Sequence, residues 1–184
     1  METEFIQIEW DGPYTFDEAK KMTDGDTEKY HDFGIYQIYG HHIVYGQQCL
    51  LYIGKAQDQT FGVRLSQARE WEEKYAVADF KNISVYVGRL AGEATPEDDQ
   101  WRRQINIAEK MLICIHSPAR NSSNLQSFPI EDCRYVHVLN WGSYRDLLPE
   151  VSGARYTDRF LCGDASTYGA YGTHRANSVT DTPG

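Results

Sequence analysis

The chain of 184 residues contains no apolar run of about eighteen residues, so a membrane-spanning helix is not expected. Met1-Glu2-Thr3-Glu4 is acidic and leads into no apolar h-region, which argues against a secretory signal. Only four cysteines are present, Cys49, Cys114, Cys133 and Cys162, and none forms a CxxC pair. A zinc-ribbon or disulfide framework is therefore not indicated. Cys49 and Cys114 sit inside apolar runs and read as small buried thiols, which fits a reduced, cytoplasmic protein. There is no internal repeat, no zinc-finger spacing and no helix-turn-helix signal. His41-His42 is a poor chelate, because adjacent residues of extended chain point to opposite faces.

Basic charge is also scarce: the formal net charge is −9. That total opposes a nucleic-acid partner, but its distribution is uneven. Residues 1–33 hold ten acids and three bases, whereas residues 34–125 hold ten of each. Residues 126–184 hold seven acids and five bases, all arginine. The acidity thus belongs mainly to the leading segment, and the central region remains free to gather Arg and Lys on one face. Residues 1–32 are read as an acidic, solvated and partly packed extension, or alternatively as an acidic arm that competes with nucleic acid. In it Phe5, Ile6 and Ile8 mark a short strand, and Thr15 with Glu18 has the capping-box spacing of a short helix to about Met22.

From residue 33 the pattern is strand, strand, helix, strand, helix. Residues 33–40 alternate as a strand, and residues 49–55 form its hairpin partner, with Ile43-Val44-Tyr45 available to extend the pairing. Phe61, Leu65, Ala68 and Tyr75 recur at helical spacing, and Arg64 leaves that apolar face at its edge. Residues 83–90 alternate again. Thr95-Pro96-Glu97-Asp98-Asp99 is a helix start, with Thr95 as cap and proline at the first position. The stripe Trp101, Ile105, Ala108, Leu112, Ile115 follows until Pro118. Glu109 lies beside that stripe. A solvated glutamate belongs on the other side, since a poorly paired buried carboxylate is costly. Residues 134–141 suggest a further strand and residues 143–150 a short helix. Residues 163–184 are rich in Gly, Ser and Thr and read as a loosely held tail.

Taken singly, Tyr36 or Tyr52 is an ordinary strand residue and Arg64 or Lys55 an ordinary surface charge. Together, Gly34-Ile35-Tyr36, Tyr52-Ile53-Gly54-Lys55, Arg64, Glu109 and Asn121 resemble the GIY-YIG nuclease superfamily. That group includes intron homing endonucleases, some restriction enzymes and the incision domain of a bacterial nucleotide-excision-repair nuclease. The likeness covers residues 33–125, with Pro118 and Asn121 nine and twelve residues after Glu109. It departs at Ala68, where many relatives carry Tyr or His, which puts a secondary orienting role in doubt.

The resemblance implies an α+β fold: a small three-stranded antiparallel sheet flanked by helices. The 33–125 core would then carry an N-terminal extension (1–32), a strand/helix extension (126–162) and the tail (163–184). It implies a divalent-metal-dependent endonuclease that hydrolyses DNA. Arg64 would bind the phosphate, Glu109 would hold a single Mg²⁺ or Mn²⁺, and Tyr36 would act as base, its pKa lowered by Lys55, Arg64 and the metal. Tyr52 would share the water. Asn121 would orient Glu109 or its loop, with Asn124 as competing candidate. Arg134, Arg145, Arg155 and Arg159 would extend the surface contacting the DNA backbone. Restriction relatives can act as dimers, so a homodimer is one allowed state, although nothing in these residues shows a dimer face. The alternative is a module that keeps the fold but only binds nucleic acid or protein.

Overall fold

Alternation decides which face each strand buries. In β1 (Glu4–Tyr14), Ile6, Ile8 and Trp10 point inward and are at most 2% exposed, while Phe5, Glu9 and Asp11 on the opposite side meet solvent. The computed structural model describes residues 3–23, 33–67, 83–92, 96–125 and 133–155. After β1 come α1 (Phe16–Ala19), β2 (Gly34–His42), β3 (Gly46–Ala56), α2 (Phe61–Gln67), β4 (Ser84–Ala91), α3 (Asp98–His116), β5 (Val136–Gly142) and β6 (Glu150–Ser152).

The α+β class is as expected, but the sheet is larger. It has six strands in the order β3-β2-β4-β1-β5-β6, mixed because β1 and β5 run parallel while the other neighbours run antiparallel. The expected three strands are the β3-β2-β4 half. The correction comes from β4: one of its edges takes β2 and the other takes β1. Residues 4–14 are therefore an interior strand rather than a solvated appendage. Their acids Glu9 and Asp11 are its wet face, a period-two pattern that looked like general acidity.

Helices cover both faces of the sheet. On one side α3 buries Ile105, Ala108, Met111 and Leu112 against Ile6, Ile8, Trp10, Ile35 and Ile53. On the other, Phe16 and Ala19 of α1 and Phe61 and Leu65 of α2 pack with Tyr36, Ile38, Leu51, Val85 and Val87. The helix α1 begins with the expected Thr15–Glu18 capping box. The cap of α3 is Glu97 rather than Thr95, and its side chain makes no capping bond. Ser117, in the left-handed conformation, closes α3 before Pro118. Ile43, Val44 and Tyr45 form an exposed turn and are not paired. Ala68 and the expected continuation of α2 to Tyr75 lie outside the described residues, as does the tail.

Residues 143–149 do not form the expected helix. Several of their backbone groups are taken by partners outside the segment. The Asn140 N–H donates to the Pro149 carbonyl, and the Leu148 N–H donates to His116 Nε2 at 2.8 Å. Arg145, at φ +54°, breaks any helical run. Below β1, Trp10 Nε1 donates to Asn140 Oδ1 at 2.8 Å, and the Ser143 N–H donates to the Trp10 carbonyl.

Because β1 is hydrogen-bonded along both edges, removing residues 1–15 should abolish the cooperative unfolding transition. Urea denaturation followed by far-UV circular dichroism checks this; a sharp transition retained by the truncated chain would contradict the interior placement.

Candidate active site

Two close approaches set the site. Tyr36 of β2 stands opposite Gly54 of β3 in the antiparallel register. A Cβ on Gly54 would lie 2.5 Å from the Tyr52 ring and 2.7 Å from the Tyr36 ring and hydroxyl. The missing side chain lets the two rings converge, with centroids 6.0 Å apart and planes tilted by 34°. At the start of β2, Gly34 has φ +149°, and a Cβ there would meet the Gly88 carbonyl at 2.1 Å, so only glycine lets β2 begin this close to β4.

Arg64 reaches the tyrosines from α2. That helix is seated by the N-terminal segment: the Gly62 N–H donates to the Met22 carbonyl at 2.9 Å, and Phe61 and Leu65 are buried. The half-buried Arg64 lies near enough for its charge to act on the Tyr36 hydroxyl.

Lys55 and Glu109 approach from the α3 face. Lys55 Nζ lies 3.1 Å from Glu109 Oε2, and it also donates to Asn106 Oδ1. The two groups approach β3, the edge strand, from different sides and are coupled by charge: Glu109 raises the Tyr36 pKa, and Arg64 opposes the rise in that of Glu109. Asn106 was not singled out from the sequence. Its signal was positional, three residues before Glu109 and so on the same side of α3.

Burial dominates the titration of both groups. The Glu109 side chain is 13% exposed, and desolvation raises its pKa above the ordinary carboxylate value against the opposing effect of Lys55. Tyr36 is 1% exposed, and burial, reinforced by Tyr52 and Glu109, pushes its pKa well above the usual phenol value. Arg64 acts the other way without overcoming it. The expected lowering of the Tyr36 pKa is therefore reversed in the protein by itself.

Asn121 has a different partner from the one expected. Its Nδ2 donates to the Ile53 carbonyl at 2.9 Å, and its Oδ1 accepts from the Ile53 N–H at 3.0 Å. With the Ala119 N–H on the Leu50 carbonyl and the Arg120 N–H on the Leu51 carbonyl, residues 119–121 close the outer edge of β3. Asn121 thus holds the strand carrying Tyr52 and Lys55 rather than orienting Glu109. Asn124 lies in the following loop at φ +63°. Of the C-terminal arginines, Arg134 and Arg155 are exposed. Arg145 turns inward, its guanidinium 3.9 Å from the Tyr39 ring centroid and hydrogen-bonded to Gln48, and so leaves the expected phosphate surface. Arg159 lies outside the described residues.

Among the described residues no group of three or more His, Cys, Asp and Glu side chains could hold a metal. Glu109 is a single hard oxygen donor. It fits one Mg²⁺ or Mn²⁺ whose remaining ligands are water and phosphate. Its burial beside a cation already 3.1 Å away agrees with a position where positive charge is favoured.

Comparisons with family models, with curated proteins and with solved structures gave no match. Among the described residues no helix is long and apolar enough to cross a membrane.

Two outcomes follow from this geometry. Asn121→Ala leaves both polar groups of Ile53 without their side-chain partner and should destabilise the protein by about 2–3 kcal/mol in urea unfolding. Glu109→Gln should stabilise the metal-free protein at pH 7.5, by on the order of 1 kcal/mol, because it removes a charge that burial disfavours. The sign follows from the raised pKa of Glu109: protonation favours the folded state, so the wild type loses stability as pH rises through that pKa. Below it the wild-type carboxyl is neutral and the gap should close. Melting curves in a chelator across pH 4–8 test this, and a gap that widens toward acid pH would refute it.

Proposed function

We propose that this chain is a divalent-metal-dependent endonuclease that hydrolyses phosphodiester bonds of DNA. The observation that carries the reading is that Tyr36 and Tyr52, with Arg64 acting on Tyr36, and the Lys55–Glu109 pair, drawn from four separate elements, are coupled by charge across the β2–β3 hairpin.

Attack on a phosphodiester builds negative charge on its non-bridging oxygens, and preorganised positive charge there lowers the barrier. Arg64 offers a permanently charged planar fork for those oxygens. Lys55 adds a second cation at the same edge. A divalent ion bound by Glu109 would add Lewis-acid charge at the phosphate and favour ionisation of nearby hydroxyls. The water oxygen attacks phosphorus as its proton passes to a tyrosinate oxygen, the bond to the leaving oxygen breaks, and that oxygen takes a proton from solvent water. Tyr36 is assigned that base role, with Tyr52, the more exposed of the pair, positioning or sharing the water. Burial keeps Tyr36 protonated in the protein by itself. Its role therefore requires the added positive charge of the loaded site.

The second reading is a module that binds nucleic acid without cutting it. The high Tyr36 pKa, the closed Lys55–Glu109 pair and the net charge of −9 favour it. A cytoplasmic location and a homodimer are compatible with either reading.

In a plasmid-nicking assay with Mg²⁺ or Mn²⁺, Glu109→Ala and Arg64→Ala should each lower the rate by about 10²–10³-fold. Arg64→Lys should not restore it, since an ammonium lacks the planar fork. Undiminished cleavage in both alanine variants would reject the site. An inactive wild type that still binds DNA would establish the second reading.

A further inference from the structure

A cleft of about 250 Å³ opens where the start of β2 and the end of β3 meet the first turns of α3, N-terminal to Glu109 on that helix. It is lined by Phe33, Gln57, Asp58, Asp98, Trp101 and Arg102. The chain ties it to the site at three points. Phe33 directly precedes Gly34, which pairs with Ala56, and Gln57 follows Ala56. Arg102, Asn106 and Glu109 succeed one another at spacings of four and three on one side of α3. At 1.5 Å per residue, Arg102 is about 10 Å along the helix from Glu109. Lys55, bonded to both Asn106 and Glu109, fills the interval.

The chemistry of the cleft differs from that of the phosphate site. Its walls are two half-buried aromatic rings, Phe33 and Trp101, in an edge-to-face contact at 5.7 Å and 69°. Its polar rim carries two carboxylates, Asp58 and Asp98, against one guanidinium, Arg102, which lies 3.0 Å from Asp58. That balance repels a phosphate. A neutral, planar group with donors and acceptors on its edge is accepted: the rings offer a stacking surface, and Gln57, Asp58 and Arg102 offer edge contacts of both kinds.

We propose that this cleft receives one unstacked nucleobase of the substrate strand, within a few nucleotides of the phosphate held at Arg64 and Glu109. The proposal rests on the nuclease reading for its placement. The occupant follows from the aromatic wall, the acid-rich rim and continuity with a phosphate-handling edge. Base–aromatic stacking is worth about 1–3 kcal/mol per base, or roughly 5–150-fold in affinity. The site would then favour DNA in which a base near the cleavage point is unpaired.

The test uses single-stranded oligonucleotides of mixed sequence in which one abasic residue is walked past the mapped cleavage position. One position should weaken binding and raise KM about tenfold or more, with little change in kcat. Trp101→Ala should impose the same loss on the intact strand and almost none on the strand abasic at that position. Trp101→Phe, which keeps a ring, should restore most of the affinity and controls for folding. Uniform response to every abasic position, or losses from Trp101→Ala and the abasic residue that multiply fully, would overturn the proposal. If the protein cleaves nothing, the same cycle is read by fluorescence anisotropy with Ca²⁺ present. A coupled loss there supports the base cleft while the nuclease reading fails. Absence of all DNA binding overturns both.

Discussion

β1 is bonded along both edges, antiparallel to β4 and parallel to β5, so the two halves of the sheet exist as one surface only through it. The consequences reach the site. The chain leaving β1 forms α1, and the Met22 carbonyl beyond it receives the Gly62 N–H at the first turn of α2. Arg64 is two residues, about half a turn of helix, from that bond. The guanidinium at Tyr36 is thus positioned from the segment whose composition looked least structural.

The second constraint is desolvation. Glu109 and Tyr36 are both held where burial opposes their charged forms, and the cations nearby only partly offset it. A packed core has no use for this arrangement, since apolar residues of similar volume would be less costly there. It suits a place where added positive charge would relieve the cost of burying the carboxylate. Lys55 is then the resting counter-ion of Glu109, and Asn106 fixes where it rests.

Much of this was legible in the sequence, and the parts that were not have physical causes. The strands β2, β3 and β4 and the long helix were readable from periodicity, because each buries one face. Glu109 stood out because a carboxylate beside an apolar stripe has few cheap explanations. The strand β1 was underestimated because its wet face is acidic. Composition averages over both faces of a strand, whereas burial selects one. Residues 143–149 misled for another reason: two of their backbone partners, His116 and Trp10, are distant in sequence, and no local propensity carries that information. Asn121 was placed near the site by spacing alone. Spacing does not distinguish a side chain that touches a carboxylate from one that clasps a strand edge.

That last distinction bears on how the site works. An edge strand has unpaired backbone groups, and an unsupported edge shifts register or recruits another strand. Residues 119–121 close β3 from Leu50 to Ile53, and the closure stops just before Gly54 and Lys55. Upstream of that point the edge is fixed, so Tyr52 is held in register with β2. Downstream, no further backbone bond to that edge is made among the described residues, and there Lys55 meets Glu109. A strand sealed along its whole length would have kept the same tyrosines but covered the edge at which Lys55 meets Glu109.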